Sequence, residues 1–364
     1  MHTRLLTAAV LLAAMIAVIA AALNPGAQAQ GDRTTGTRQR VASPSPSPTP
    51  LSPDDETLRS DEVLRVETNL TNVFFTAADK HKRFISDLKR EDVRILEDGV
   101  PQQIFTFQQN TDLPLSLAIL IDTSRSEERT LPDEKMAAQA FLEAVMRPQK
   151  DEAAVVSFTG DSTLEQGLTG NVARLRRAIE RVEYVPPSGL IGGGVVVGGT
   201  PPISDSQQML AGSTAIWDAV FTTSNEVMRD SAEHTRRAII LLTDGQDTSS
   251  QVHMSEAINS AVKVDALVYA VGIGDRYSYG VDEGSLRKIT EATGGRAYFP
   301  RNEGELRDAF AQIQRDLREQ YLIAYAPTNK TRDGSYRRVT IEITNPEVQR
   351  QSLKLTYRPG YFAK

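Results

Sequence analysis

Four apolar runs in the middle of the chain limit its fold more than any other feature. They are LSLAILID at 115–122, EAAVVSF at 152–158, RRAIILLTD at 236–244 and VDALVYAVGIG at 264–274. Each is largely continuous in its apolar residues, whereas a strand with one wet face alternates. Continuous runs belong to strands buried on both faces, as in a parallel sheet with helices on either side. Helical spacing fills the gaps, at 131–146, 172–182, 214–228, 255–262, 285–292 and 303–319. A short strand is expected at STLEQGL and another at GRAYFP. The expected fold class is therefore α/β, a doubly wound, mostly parallel sheet flanked by helices.

The flanks read differently. Val73, Phe75 and Ala77 alternate on the opposite parity to Leu64, Val66, Thr68 and Leu70, which implies a bulge or break between two strands. Asp98-Gly99 separates two strand-like runs and is a hairpin signal. After QYLIAYAP and a turn at Asp333-Gly334, Val339, Ile341 and Ile343 alternate, as do Leu353, Leu355 and Tyr357. Neither flank can bury a core alone. Segments 63–112 and 320–364 are expected to pair into a small antiparallel β domain, with the α/β domain of 113–319 inserted between them.

The N-terminus has Arg4, an apolar run at 5–23 and then Ala27-Gln28-Ala29. This is the pattern of a secretory signal, with 1–29 removed. The alternative is an uncleaved anchor, the one route to membrane contact. Residues 30–62 include SPSPSPTP at 43–50. Proline removes backbone donors there, so an extended linker is expected. The protein is expected to be exported: periplasmic, secreted or on the cell surface. With no cysteine, disulfides, thiol catalysis and cysteine-based zinc sites are excluded. A net charge of −6 without a basic stripe gives no reason to expect nucleic acid.

Ligands of open α/β sheets bind at the carboxyl ends of strands. Three stretches fall there: Asp122-Thr-Ser124-Arg-Ser126, Thr214 ahead of a helix, and Asp244 after RRAIILLT. They offer two carboxylates and three hydroxyls, all hard oxygens, suited to Mg²⁺, Mn²⁺ or Ca²⁺ and unsuited to copper or zinc. Each residue also has a structural explanation. Asp122 and Ser124 could cap the next helix, Thr214 could be an N-cap with Asp218 in its first turn, and Asp244-Gly245 could be a plain turn. Asp247 is a lesser candidate that would orient the Asp244 loop or bind water.

Asp-x-Ser-x-Ser after an apolar strand, then a lone Thr, then Thr-Asp-Gly after another strand, resembles the metal-ion-dependent adhesion site of von Willebrand factor type A domains. The resemblance covers about 115–319. LKREDVRILEDGVPQQIFTF and RPGYFAK on its flanks are similar to an exported subfamily of these proteins common in Acidobacteria. The resemblance implies that Asp122, Ser124, Ser126, Thr214 and Asp244 bind a divalent cation, Mg²⁺ first, with Mn²⁺ or Ca²⁺ as alternatives. It implies an open coordination position filled by an Asp or Glu carboxylate of a protein partner. The Gly/Pro-rich stretch 185–213 would then lie near the cation.

Enzyme readings fare worse. GDSTL at 160–164 would need a histidine base, and none of His81, His234 and His253 has a suitable context. VGIGDRYSYG lacks the dinucleotide fingerprint, and no Walker loop is present. The expected function is a cation-dependent adhesion or scaffold module, not an enzyme. The alternatives are a structural envelope protein whose cation only stabilises loops and, more remotely, a metal-dependent hydrolase.

Overall fold

Adjacent parallel strands are what the four apolar runs form. The structure is a computed structural model that describes residues 70–80, 83–109, 112–124, 127–147, 149–184, 190–191, 195–196, 213–232, 235–274 and 280–363. Every described residue belongs to one compact unit, Val66–Lys364. The leader and linker expected at 1–62 lie outside the described residues, as do Leu64, Val66, Thr68 and nearly all of 185–213.

The chain begins its described part with β1 (Thr71–Ala78), β2 (Val93–Glu97), β3 (Val100–Gln102) and β4 (Ile104–Gln109). The α/β region opens with β5 (Leu115–Asp122), α1 (Leu131–Val145), β6 (Glu152–Phe158), β7 (Ser162–Thr169) and α2 (Val172–Arg181). A two-residue pair, β8 (Leu190–Ile191) and β9 (Val195–Val196), precedes α3 (Ile216–Thr222). Then come β10 (Arg236–Thr243), α4 (Met254–Lys263), β11 (Ala266–Gly272), α5 (Glu283–Thr293), β12 (Ala297–Tyr298) and α6 (Glu303–Arg318). The chain ends in β13 (Tyr321–Tyr325), β14 (Tyr336–Ile343), α7 (Pro346–Gln349), β15 (Lys354–Tyr357) and β16 (Gly360–Phe362).

The central sheet has the order β12-β11-β10-β5-β6-β7, parallel except for β7. Its period-2 geometry sends alternate side chains to opposite faces. Leu117, Ile119 and Ile121 pack on α1, α2 and α6 through Phe141, Leu142, Ile179, Phe310 and Ile313. Ala118 and Leu120 face α3, α4 and α5 through Ile216, Val220, Ala261, Leu286 and Ile289. All eight residues of β5 are buried, which is why its sequence does not alternate. From β5 the chain moves to β6 on one side, and β10 lies on the other, so the topology switches between β5 and β10.

Both antiparallel sheets draw strands from each end of the described chain. One has the order β15-β1-β13-β4 and the other β16-β14-β2-β3. Val73, Phe75, Ile95, Tyr321, Ile323 and Ile341 form their shared core. Within it Glu97 accepts bonds from Arg337 (3.1 Å), Tyr325 (2.8 Å) and Tyr361 (2.7 Å), so its buried charge is fully partnered. Asp98 (φ 49°) and Gly99 (φ 80°) turn β2 into β3, the two positive φ values that a tight hairpin requires. The turn at Asp333-Gly334 is present too, but β13 and β14 enter different sheets.

Two elements differ from expectation. The helix expected over 214–228 starts at Ile216 and widens to a π-helical turn at Thr223–Met228. Ser224 and Asn225 bond back to the carbonyls of Val220 (2.7 Å) and Phe221 (2.9 Å), polar insertions that accompany such widening. The strand expected over 295–300 shrinks to two residues. Gly295 sits so close to β11 that a Cβ there would lie 1.9 Å from the Val268 carbonyl.

Asp151 ties the amino end of the α/β region together. It accepts bonds from the Leu115 N–H (2.9 Å), the Arg147 N–H (2.8 Å) and the guanidiniums of Arg147 (2.8 Å) and Arg318 (2.6 Å). Burial opposes its ionisation, but these donors outweigh burial and hold it well below the usual carboxylate range. Asp151→Ala is expected to destabilise the protein by about 2–4 kcal/mol, because two cations and a strand N–H lose their acceptor. A lowered urea midpoint at pH 7 would show this.

Candidate functional site

Of the expected site residues, Asp122 and Asp244 come together at the carboxyl end of the sheet, where the topology switches. Register does most of this work. Leu242 pairs with Ile121, so Thr243 stands beside Asp122 and Asp244 follows. The Thr243 hydroxyl donates to Asp122 Oδ2 at 2.6 Å. The Ser124 N–H donates to Asp122 Oδ1 at 2.9 Å, closing a tight turn right after β5. The Thr123 N–H and hydroxyl both bond the Phe158 carbonyl, at 2.8 and 3.0 Å, which fixes that turn against the end of β6.

Asp244 lies in the loop after β10 and is buried. Its Oδ1 accepts the Gln246 N–H at 2.9 Å. Gly245 between them has φ 84°, and a Cβ there would meet Leu286 at 2.9 Å and the Asp282 carbonyl at 3.0 Å. Glycine is therefore needed on both conformational and steric grounds. The loop is held from the side by the Asp282 N–H, 2.8 Å from the Asp244 carbonyl.

Thr214 is buried just ahead of α3. Its N–H donates to the Thr248 hydroxyl at 2.8 Å, and its carbonyl accepts the N–H groups of Thr248 (2.8 Å) and Ser249 (3.1 Å). The next N–H, from Ala215, reaches the Thr159 carbonyl at 2.7 Å. Thr214 thus joins the loops that follow β6 and β10. Ser126 lies outside the described residues.

The turn at Asp244-Gly245 is present, and Asp218 does stand in the first turn of α3, but the capping explanations for Asp122, Ser124 and Thr214 do not match their bonding. Thr130, not Asp122 or Ser124, precedes α1, and Ala215, not Thr214, precedes α3. Asp218 accepts the N–H groups of Gln251 and Val252 at 2.9 Å each. Asp247 and Ser250 cap α3 from the neighbouring loop, taking the N–H groups of Ile216 (2.8 Å) and Trp217 (3.0 Å). Asp247 is therefore a tie between the Asp244 loop and α3. Ser162 of GDSTL begins β7 and pairs with Phe158 across a turn.

Two acids were not expected here. Glu127 and Glu134 are both fully buried, and one carboxylate oxygen each of Asp122, Glu127 and Asp244 lie within 4.8 Å of one another. Glu127 directly follows the Asp-x-Ser-x-Ser run. That adjacency was its one visible signal. Glu134 stands in the first turn of α1, where an acid is ordinarily solvated.

Burial, opposed by the bonds from Thr243 and Ser124 and aided by the charge of Asp244, pushes Asp122 up to about 7. Burial likewise pushes Glu134 up to about 7, and Glu127 rises well above the usual range through burial and the charges of Glu134 and Asp122. Such a concentration of buried acids is costly without a counter-charge. Two oxygens on opposite sides of a hard cation are about 4–5 Å apart. The spacing and the all-oxygen donor set fit a single divalent cation, with Asp122, Asp244 and Glu127 able to hold it.

Two family models of the von Willebrand factor type A domain match the sequence, one over residues 117–246 and the other over 203–312. The chain carries a von Willebrand factor type A domain. Its matched span takes in most of β5, all of β10 and both carboxylates at the switch point. No curated protein matches the chain. Among solved structures, it is similar to a von Willebrand factor type A protein from Catenulispora acidiphila, at 16% identity over 80% of this chain and 72% of that one, with a TM-score of 0.45. It is similar to the conserved hypothetical protein BatB from Bacteroides thetaiotaomicron, at 16% identity over 56% of this chain and 98% of that one (TM-score 0.41). Proximal thread matrix protein 1 from the mussel byssus, in a form with a zinc-occupied MIDAS motif, matches at 18% identity over 61% of this chain and 49% of that one (TM-score 0.43).

The acid cluster has a pH signature in metal-free protein. Asp122 and Glu134 have folded-state pKa values above their unfolded ones, so the folded state holds more protons between them. Stability in EDTA is expected to fall as pH rises from about 4 through about 7. Asp122→Asn should flatten part of that slope in thermal melts at pH 5, 6, 7 and 8.

Proposed function

We propose that the type A domain is an exported, cation-dependent protein-recognition module. Asp122, Ser124, Ser126, Thr214 and Asp244 would hold a divalent cation, Mg²⁺ first, with Mn²⁺ or Ca²⁺ as alternatives. The observation that carries this reading is the approach of the Asp122 and Asp244 carboxylates across two neighbouring parallel strands in a buried, all-oxygen site. A bound cation supplies Lewis-acid attraction for an anionic oxygen, stronger than an ammonium group offers.

The chain's own residues do the rest. Asp122 is fixed by the Thr243 hydroxyl and the Ser124 N–H, and Asp244 by the Gln246 N–H, so neither has to reorganise on binding. The Thr214 segment ties together the loops after β6 and β10, the second of which carries Asp244. A partner would present an Asp or Glu carboxylate to this end of the sheet. The surroundings favour recognition over turnover: the site is built of carboxylates and hydroxyls, and His253 serves at the start of α4.

Export rests on the sequence, namely the apolar run 5–23 followed by Ala27-Gln28-Ala29. Among the described residues no helix is long and apolar enough to cross a membrane.

Two measurements test this reading. Calorimetry with Mg²⁺, Mn²⁺ and Ca²⁺ is expected to show one site in the wild type and a loss of at least about 100-fold in affinity in both Asp122→Ala and Asp244→Ala. Equal binding by all three proteins would remove the cation from the function. N-terminal sequencing of the exported protein is expected to start at Gln30. An intact Met1 in the mature protein would replace secretion by anchoring.

A further inference from the structure

We propose that Glu127 is a resident ligand of the cation site, holding the coordination position that an acidic partner needs, so that a partner binds by displacing it. This deepens the cation reading above and rests on it.

Glu127 lies on the short connection between β5 and α1. Its N–H bonds the Ser124 carbonyl at 3.0 Å, and its own carbonyl accepts the Thr130 N–H at 3.1 Å. This backbone turn aims the side chain inward, where it is fully buried. One carboxylate oxygen, Oε2, takes the Thr130 hydroxyl. The other, Oε1, has no donor among the described residues unless the neighbouring Glu134 carboxyl is protonated. A buried carboxylate oxygen with no donor is costly.

Among the described residues no cation relieves that cost. Neither Glu127 nor Glu134 takes part in an ion pair among the described residues, and the charges that act most on Glu127 are those of Glu134 and Asp122, both acidic. Meanwhile a Glu127 oxygen stands within 4.8 Å of oxygens of Asp122 and Asp244. A single ion between the three carboxylates satisfies all of them at ordinary cation–oxygen distances.

The consequence for binding follows from charge. Asp122 and Asp244 together neutralise a divalent ion. A third carboxylate makes the site net negative and occupies one more ligand position, so it weakens the pull on an outside oxyanion. Glu127 also has somewhere to go when displaced. Thr130 and Glu134 lie on its other side, and Glu134 projects from the first turn of α1. Off the ion, Glu127 stays beside Thr130 and Glu134, where a proton shared between the two acids would offset their repulsion.

The test uses Mn²⁺ alone as the probe. Water-proton relaxation counts the waters bound to the ion, and acetate titration reads its affinity for an outside carboxylate. If Glu127 holds its position about nine-tenths of the time, its removal raises acetate affinity about tenfold. Glu127→Gln is expected to bind Mn²⁺ about tenfold more weakly than wild type, gain one bound water and bind acetate about tenfold more tightly. Glu127→Ala, which removes the ligand outright, should do the same and decides the matter if the Gln variant misfolds. If wild type and Glu127 variants share one water count and one acetate affinity while Asp122→Asn abolishes Mn²⁺ binding, Glu127 is not a ligand and the cation reading stands alone. If wild type binds no Mn²⁺, or Asp122→Asn binds it equally well, the cation reading falls and the role of Glu127 falls with it.

Discussion

The rest of the structure depends on the close approach of buried carboxylates at the end of a parallel sheet. Neighbouring strands lie about 4.8 Å apart, and the β5–β10 register sets Thr243 beside Asp122 with Asp244 next in the chain. Like charges at that range resist burial together. The protein meets this with donors that cannot move away: the Thr243 hydroxyl, the Ser124 N–H and the Gln246 N–H. Asp122, Glu127 and Asp244 still gather negative charge at one buried point, an arrangement suited to a hard cation.

The sheet bears this strain because it is braced at its opposite end. Asp151 gathers two guanidiniums and two backbone N–H groups where β5 and β6 begin. There the carboxylate is overcompensated and held ionised, while at the carboxyl end Asp122 is pushed toward neutrality. The same side chain in one sheet behaves in two ways, and the difference is the presence of cations at 2.6–2.8 Å.

The flanking β-sheets restrain the α/β region through its two chain ends. β4 leads into β5, and α6 leads into β13, which pairs directly with β4. The entry and exit of the α/β region are therefore stitched together by one antiparallel ladder. Arg296, at the edge of the central sheet, donates to Thr356 of β15 at 2.9 Å and adds a side-chain link between the two parts. Loops at the far, carboxyl end are left to carry the site on a scaffold fixed from below.

The sequence alone determined the strand-helix succession, because a strand buried on both faces must be apolar throughout, as β5 is. It determined the ordered acid and hydroxyl motif, because those residues follow strand ends directly. It also determined the Asp98-Gly99 hairpin, because positive φ values select those residues locally. Tertiary structure alone decided how the flanking strands divide, since neither the apolar run of β13 nor the alternation in β14 says that they enter different sheets. It alone made Asp247 a cap for a helix that precedes it by some thirty residues. It also decided that Glu127 and Glu134 turn inward, for an acid in a loop or a first helical turn is normally solvated. Burial and proximity are properties of packed neighbours distant in the chain, and no local pattern encodes them.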